Sequence, residues 1–164
     1  MQKHTTLQAL RFVGAAAVLG TGAVHLQQYL GADYHSIPTI GPLFLLNAIG
    51  CGIVGIALLL PIERTLAGRR ADMWVAALAI AAVAIAVGSL VALFISETGA
   101  LFGFSEDGYR PAIVVAIITE ALTVLSLSPV AGITVHRALS RRRDRDARAG
   151  TERAWARPQQ AARS

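Results

Sequence analysis

Four long apolar tracts constrain this chain more than any other feature of its sequence. They cover residues 7–30, 40–62, 73–95 and 111–135, and very few charged residues interrupt them. A helix of about 20 apolar residues crosses the ~30 Å hydrocarbon core of a bilayer. Lipid offers no hydrogen-bond partner to exposed backbone groups, and no tract alternates like a barrel strand, so each is predicted to be helical. The predicted fold class is an all-α membrane protein with four transmembrane helices.

The composition agrees with a membrane protein. Of the 164 residues, 54% are hydrophobic and only 15% are charged, and the mean hydropathy is +0.55. Soluble domains average about 25% charged residues. The net charge of +5 is concentrated at the two ends and in one short loop, where it is explained by membrane orientation. The lipid bilayer is therefore the expected partner, and no nucleic-acid partner is expected.

The distribution of Lys and Arg predicts which side of the membrane each loop faces. Most basic residues fall on one side of the predicted membrane. They are Lys3, Arg11, Arg64, Arg69 and Arg70, together with the Arg-rich segment after residue 136. Arg110 alone falls on the other side. Positive residues in short flanking loops stay in the cytoplasm. We expect an antiparallel bundle in the cell membrane, formed by residues 1–136, with both termini inside and the connections 31–39 and 96–110 outside.

Residues 137–164 form a basic cytoplasmic tail in this interpretation. The segment is charged and poor in aliphatic residues, so it lacks the apolar surface to fold alone. It is predicted to be disordered or a fraying extension of the fourth helix. Its Arg residues are expected to be attracted to anionic lipid headgroups.

Polar side chains inside the apolar tracts are the best indication of function, because they are costly at that depth. His25, Asn47 and Glu120 lie in the middle and outer parts of three tracts, and Tyr29 is on the same helical face as His25. We expect these four residues to line an outward-facing polar pocket for a small ligand or ion. The alternative is that the same groups hydrogen-bond between helices and only stabilise the bundle.

The two outer connections are expected to close this pocket. Tyr34 lies in the first, and Glu106, Tyr109 and Arg110 lie in the second. We predict that these four residues contact the ligand. The alternative for Arg110 is an ion pair at the rim, for which the candidate partners are Asp33, Glu97, Glu106 and Asp107.

Few cofactors fit the sequence. Haem is not expected because His25 is the only histidine within an apolar tract, and Cys51 is the only cysteine, which rules out a disulfide redox centre within the chain. A metal at the outer face stays open, although no close spacing of ligands such as HxxxH is present. No nucleophile–base pattern points to an enzyme.

Small residues recur at helical spacing in three of the tracts. Ala84, Gly88 and Ala92 form such a row in the third tract, and Gly14, Gly20 and Gly22 occur in the first. The second tract has Ala48 and Gly52, with Cys51 and Gly55 beside them. Membrane helices associate closely through small residues. These positions are predicted to be helix–helix contacts.

Two segments carry a resemblance to a known group. The first is "HLQQYLGADYHSIPTIGPLFLLNAIG" and the second is "GFSEDGYRPAIVVAIITEAL". In both, the chain resembles small four-helix integral membrane proteins of high-GC Gram-positive bacteria, whose activity is uncharacterised. The resemblance covers nearly all of the apolar part and excludes the basic tail. It implies the fold and the membrane location, and the residues that match it are His25, Tyr29, Tyr34, Ile37, Pro38, Gly41, Asn47, Glu106, Gly108, Tyr109, Arg110 and Glu120.

The sequence thus leaves two functions open. One is a membrane protein that holds a small ligand or ion in the outer half of its bundle. The other is a non-catalytic structural or accessory subunit, assembled with itself or with another membrane protein.

Overall fold

The structure is a computed structural model that describes residues 2–99, 101–103 and 110–161, with side chains described for 5–99, 101–103 and 110–150. The described residues are almost entirely helical. The helices are α1 (Gln2–Gly31), α2 (Ile40–Leu59), α3 (Ile62–Thr65), α4 (Arg69–Thr98) and α5 (Pro111–Ala161), with a short 3₁₀ turn at Tyr34–Ser36.

Four of these helices, α1, α2, α4 and α5, are long and apolar enough to cross a membrane. This confirms the predicted all-α class and the number of apolar spans. Their outer surfaces are also apolar: Leu46, Phe94 and Leu125 are exposed by 67, 66 and 73%. Soluble monomers rarely expose such extended apolar surface, so the chain is compatible with an integral membrane protein.

The helix ends differ from the predicted tracts for identifiable reasons. α2 ends at Leu59, three residues before the predicted limit. Leu60 precedes Pro61 and is extended, with ψ of 145°, because a proline ring disfavours the helical conformation of the residue before it. α1 and α4 begin before their apolar tracts, since helical hydrogen bonds do not depend on side-chain hydropathy.

The fourth apolar tract is only part of a much longer helix. α5 contains 51 residues, which at 1.5 Å per residue is about 76 Å. Residues 137–161 therefore extend α5 without a break. Arg141 in this extension lies 3.0 Å from Asp72 of α4, so the start of the basic segment contacts the bundle.

The helices pack in a ring in which one pair meets over a smaller surface than its neighbours. α1 packs extensively on α2 and α5, and α4 packs on α5, whereas the contact between α2 and α4 is much smaller. Buried residues of all four helices form one apolar core, namely Ala15, Val18, Cys51, Leu58, Val75, Ala79, Ala82, Leu127 and Val130.

Glycines of α1 and α2 allow the closest approaches in this ring. A Cβ atom at Gly22 would lie 2.9 Å from Cβ of Cys51, and one at Gly14 would lie 2.4 Å from the Leu127 side chain. A Cβ atom at Gly55 would lie 2.7 Å from the Leu19 side chain. These contacts agree with the predicted role of Gly14, Gly22 and Gly55, whereas a Cβ atom at Gly52 would meet nothing within 4 Å. The row in α4 differs: a Cβ atom at Gly88 would meet nothing within 4 Å.

Candidate functional site

The row of small residues in α4 borders a cavity of about 470 Å³, which we call the main cavity. It lies between the C-terminal halves of α1 and α4 and the N-terminal halves of α2 and α5. Most of its lining is aliphatic or aromatic. The polar and ionisable side chains in the lining are His25, Gln28, Tyr34, Asn47, Ser89, Ser96 and Glu120.

His25 is held in a defined orientation from two helices. The side chain is 7% exposed, and its Nδ1 atom lies 3.0 Å from the carbonyl oxygen of Thr21. A carbonyl oxygen only accepts, so Nδ1 donates and Nε2 of the neutral ring is an acceptor. The Ser89 hydroxyl on α4 lies 3.2 Å from Nε2 and donates to it. The imidazole is therefore fully hydrogen-bonded within the protein.

Glu120 is the ionisable residue with an unsatisfied atom in this cavity. The residue is 1% exposed, and its Oε1 atom is buried with no hydrogen-bond partner among the described residues. Ser89, whose hydroxyl contacts His25, lines the same cavity. Nearly all buried polar atoms in proteins have a partner, so the Oε1 atom marks a position where a bound donor would be stabilised.

Asn47 joins His25 and Glu120 in the lining from the α2 side. Its Oδ1 atom accepts a weak hydrogen bond from Sγ of Cys51, 3.1 Å away. The amide NH₂ group has no hydrogen-bond partner among the described residues, so it is free to donate. Three of the four predicted pocket residues thus border one cavity.

Tyr29, the fourth predicted pocket residue, is not in the cavity lining. Its ring packs edge-on against the ring of His35, with centroids 6.0 Å apart, and its carbonyl oxygen accepts from Nδ1 of His35 at 3.1 Å. Tyr29 lies one full turn beyond His25, where α1 is already close to the turn at Tyr34–Ser36. Gln28 lines the cavity in its place.

The connection between α1 and α2 covers the end of the main cavity. Tyr34 is 4% exposed, its ring centroid lies 4.7 Å from that of Phe44, and both residues line the cavity. Arg110 donates a hydrogen bond to the Tyr34 hydroxyl, and its guanidinium lies 5.7 Å from the centre of the ring. Two of the predicted loop residues therefore contact each other, and Glu106 and Tyr109 lie outside the described residues.

Sequence reasoning missed Phe44, whose ring centroid lies 5.0 Å from that of His25. An aromatic residue in an apolar tract gives no signal of a site. It also missed the role of Ser89, whose hydroxyl contacts His25. Which polar faces meet depends on the order of helices in the ring, and the sequence pattern does not contain that order.

The described residues contain no group of three or more His, Cys, Asp or Glu side chains that could hold a metal ion. The main cavity instead offers a buried carboxyl group, an amide and a histidine–serine pair within an apolar wall. Such an arrangement can hydrogen-bond the polar end of a molecule whose remainder is apolar.

No protein-family model matches the chain, and neither a curated protein nor a solved structure matches it. The resemblance to the four-helix proteins of high-GC Gram-positive bacteria stays a prediction. The function is therefore inferred from the geometry of the site.

Proposed function

We propose that this chain is a cell-membrane protein that binds a small, mostly apolar molecule by a hydrogen-bonding head group in its main cavity. The four long helices form an antiparallel bundle, and both termini are cytoplasmic. The main cavity then lies in the outer half of the bundle.

The charge distribution supports this orientation. The end of the bundle away from the main cavity carries Arg11, the basic residues of the α3–α4 connection and the Arg-rich extension of α5. At the cavity end the single cation is Arg110. Because positive residues remain in the cytoplasm, the main cavity faces outward. A reporter fused after Ser164 is expected to be active in the cytoplasm, and a reporter signal from outside the cell would contradict this orientation.

The buried Oε1 atom of Glu120 is the observation that carries the proposal. A purely structural carboxyl group would use both oxygens on neighbouring helices, whereas Oε1 has no such partner among the described residues. The volume of about 470 Å³ also falls within the range of small-molecule sites, roughly 300–1,000 Å³. A ligand donor at Oε1 would satisfy the carboxyl group and anchor the ligand.

The lining favours an amphiphilic ligand and suggests access from the lipid. Leu43 and Leu46 line the main cavity from α2 and are exposed by 43 and 67% on the outer surface of the protein. They share a helical face with Gly50, where a Cβ atom would lie 3.5 Å from the Ile85 side chain of α4. The contact between α2 and α4 is the smallest between neighbours in the ring. A molecule with an apolar body can therefore enter sideways between α2 and α4 without crossing water.

Thermal unfolding in detergent tests the proposal. The probe is a decyl-substituted benzoquinol, which donates and accepts hydrogen bonds, and decylbenzene is the control that lacks the polar head. We expect the quinol to raise the melting temperature well above the value with decylbenzene. Glu120→Leu should remove most of that shift, because a leucine side chain of similar size has no oxygen to accept a hydrogen bond from the quinol.

Ser126→Ala is the matched control variant on α5. Ser126 is buried, but its hydroxyl bonds only to backbone oxygens of its own helix and does not line the main cavity. This variant should keep the quinol shift. Equal shifts in the two variants, or no difference between quinol and decylbenzene, would favour the structural or accessory subunit instead.

A further inference from the structure

A second cavity of about 230 Å³ lies at the opposite end of the bundle. We call it the arginine cavity, because Arg11 of α1 and Arg137 and Arg141 of α5 line it. Glu63 of α3 and Asp72 of α4 are the acidic residues of its lining. It shares no lining residue with the main cavity, so it is a separate feature of the molecule.

Two of the three Arg residues are neutralised within the protein. Arg11 is 4% exposed and forms an ion pair with Glu63, which is half exposed. Arg141 lies 3.0 Å from the carboxylate of Asp72. These pairs cancel two positive and two negative charges of the lining.

Arg137 is left without an ion-pair partner among the described residues. It is only partly exposed, and it lies one helical turn from Arg141 and faces the same cavity. The Nε atom of Arg11 is also buried without a hydrogen-bond partner. The lining therefore carries one uncompensated positive charge together with unused N–H donors from two helices.

We propose that the arginine cavity binds one singly charged phosphate group, held by the Arg137 guanidinium and by Nε–H of Arg11. Guanidinium groups bind phosphate oxygens with paired, charge-assisted hydrogen bonds. The single negative charge of a phosphodiester would balance the single uncompensated positive charge of the lining. Leu7, Leu66 and Val130 border the same space and can contact the glycerol and acyl part of a phospholipid. A free phosphate ion has the same charged oxygen atoms as the lipid headgroup, so it is the other source of this ligand chemistry.

Thermal unfolding of the purified full chain in detergent tests this site. The lipid probe is dioctanoyl phosphatidylglycerol, and dioctanoylglycerol is its control without phosphate. The ion probe is sodium phosphate, compared with sodium chloride at equal ionic strength. Arg137→Gln removes the unpaired charge, and Arg145→Gln removes one charge from the exposed surface of the same helix, away from the cavity.

We expect phosphatidylglycerol to stabilise the unaltered chain and Arg145→Gln equally. Arg137→Gln should need about tenfold more of the lipid for the same shift, the loss expected for one charge-assisted hydrogen bond. The same dependence on Arg137 with sodium phosphate alone would identify free phosphate as the source. If Arg137→Gln and Arg145→Gln respond alike to both probes, or if dioctanoylglycerol stabilises as well as its phosphorylated form, the proposal is wrong.

Discussion

The Ser89 hydroxyl on α4 donates to Nε2 of His25 on α1 across a distance of 3.2 Å. This bond joins two helices that otherwise have little direct contact. It also fixes the imidazole, because the opposite ring nitrogen is engaged by the Thr21 carbonyl oxygen. The position of His25 at the main cavity therefore depends on Ser89.

Ser89→Ala tests this relationship. The change leaves Nε2 of a buried histidine without its donor, which is expected to lower the free energy of unfolding by about 1–2 kcal/mol. Equilibrium unfolding with SDS in mixed micelles measures the loss. Ser96→Ala is the control: Ser96 lines the same cavity, but its hydroxyl donates only to the Leu93 carbonyl oxygen of its own helix. Equal losses in the two variants would show that the bond to His25 contributes nothing specific.

Gly22→Ala tests the close contact of α1 with α2. The added Cβ atom would lie 2.9 Å from Cβ of Cys51 and 3.3 Å from the Ala48 carbonyl oxygen, so the helices must separate. Overpacking of this kind costs about 1–3 kcal/mol, which the same unfolding titration measures. Gly52→Ala adds a methyl group that meets nothing within 4 Å. It should leave stability unchanged or slightly raised, because alanine favours a helix more than glycine does. If Gly22→Ala does not lower the free energy of unfolding, α1 and α2 do not pack this closely at Gly22.

Gly88→Leu tests the main cavity by filling it. A side chain at this position extends into open space from α4, so the free energy of unfolding should change by less than about 1 kcal/mol. The quinol should no longer raise the melting temperature. Gly132→Leu makes the same change at an exposed position of α5 with open space around it and should keep the quinol shift. Retention of the shift in Gly88→Leu would mean that the ligand binds elsewhere.

Tyr34→Phe tests the cover of the main cavity. It removes the hydroxyl that accepts a hydrogen bond from Arg110, at an expected cost of about 1 kcal/mol. Hydrogen exchange should become faster at the backbone amides of residues 32–39, because this connection loses a link to Arg110. Tyr29→Phe provides the comparison, since the Tyr29 hydroxyl has no partner among the described residues. Unchanged exchange in Tyr34→Phe would indicate that the remaining contacts hold the connection.

The sequence predicted the four long apolar helices well because hydropathy and length are local properties. It also singled out His25, Asn47 and Glu120, which border one cavity, since an isolated polar residue in an apolar tract stands out. It could not predict that the Ala84–Gly88–Ala92 row borders a cavity. Small residues occur both where helices pack closely and where a cavity is left between them. The ion pair of Arg11 with Glu63 was also missed, because the two residues are far apart in the sequence and Glu63 lies beyond the end of α2.

The buried position of Cys51 has a practical consequence. Cys51 is 1% exposed within the apolar core, and a Cβ atom at Gly22 would lie 2.9 Å from its Cβ atom. A maleimide dye therefore cannot reach the thiol while the helices remain packed. Since it is the chain's single cysteine, fluorescence labelling would begin only as the core opens. A dye added during heating would therefore report unfolding through its reaction with Cys51. No label has to be attached to the protein beforehand.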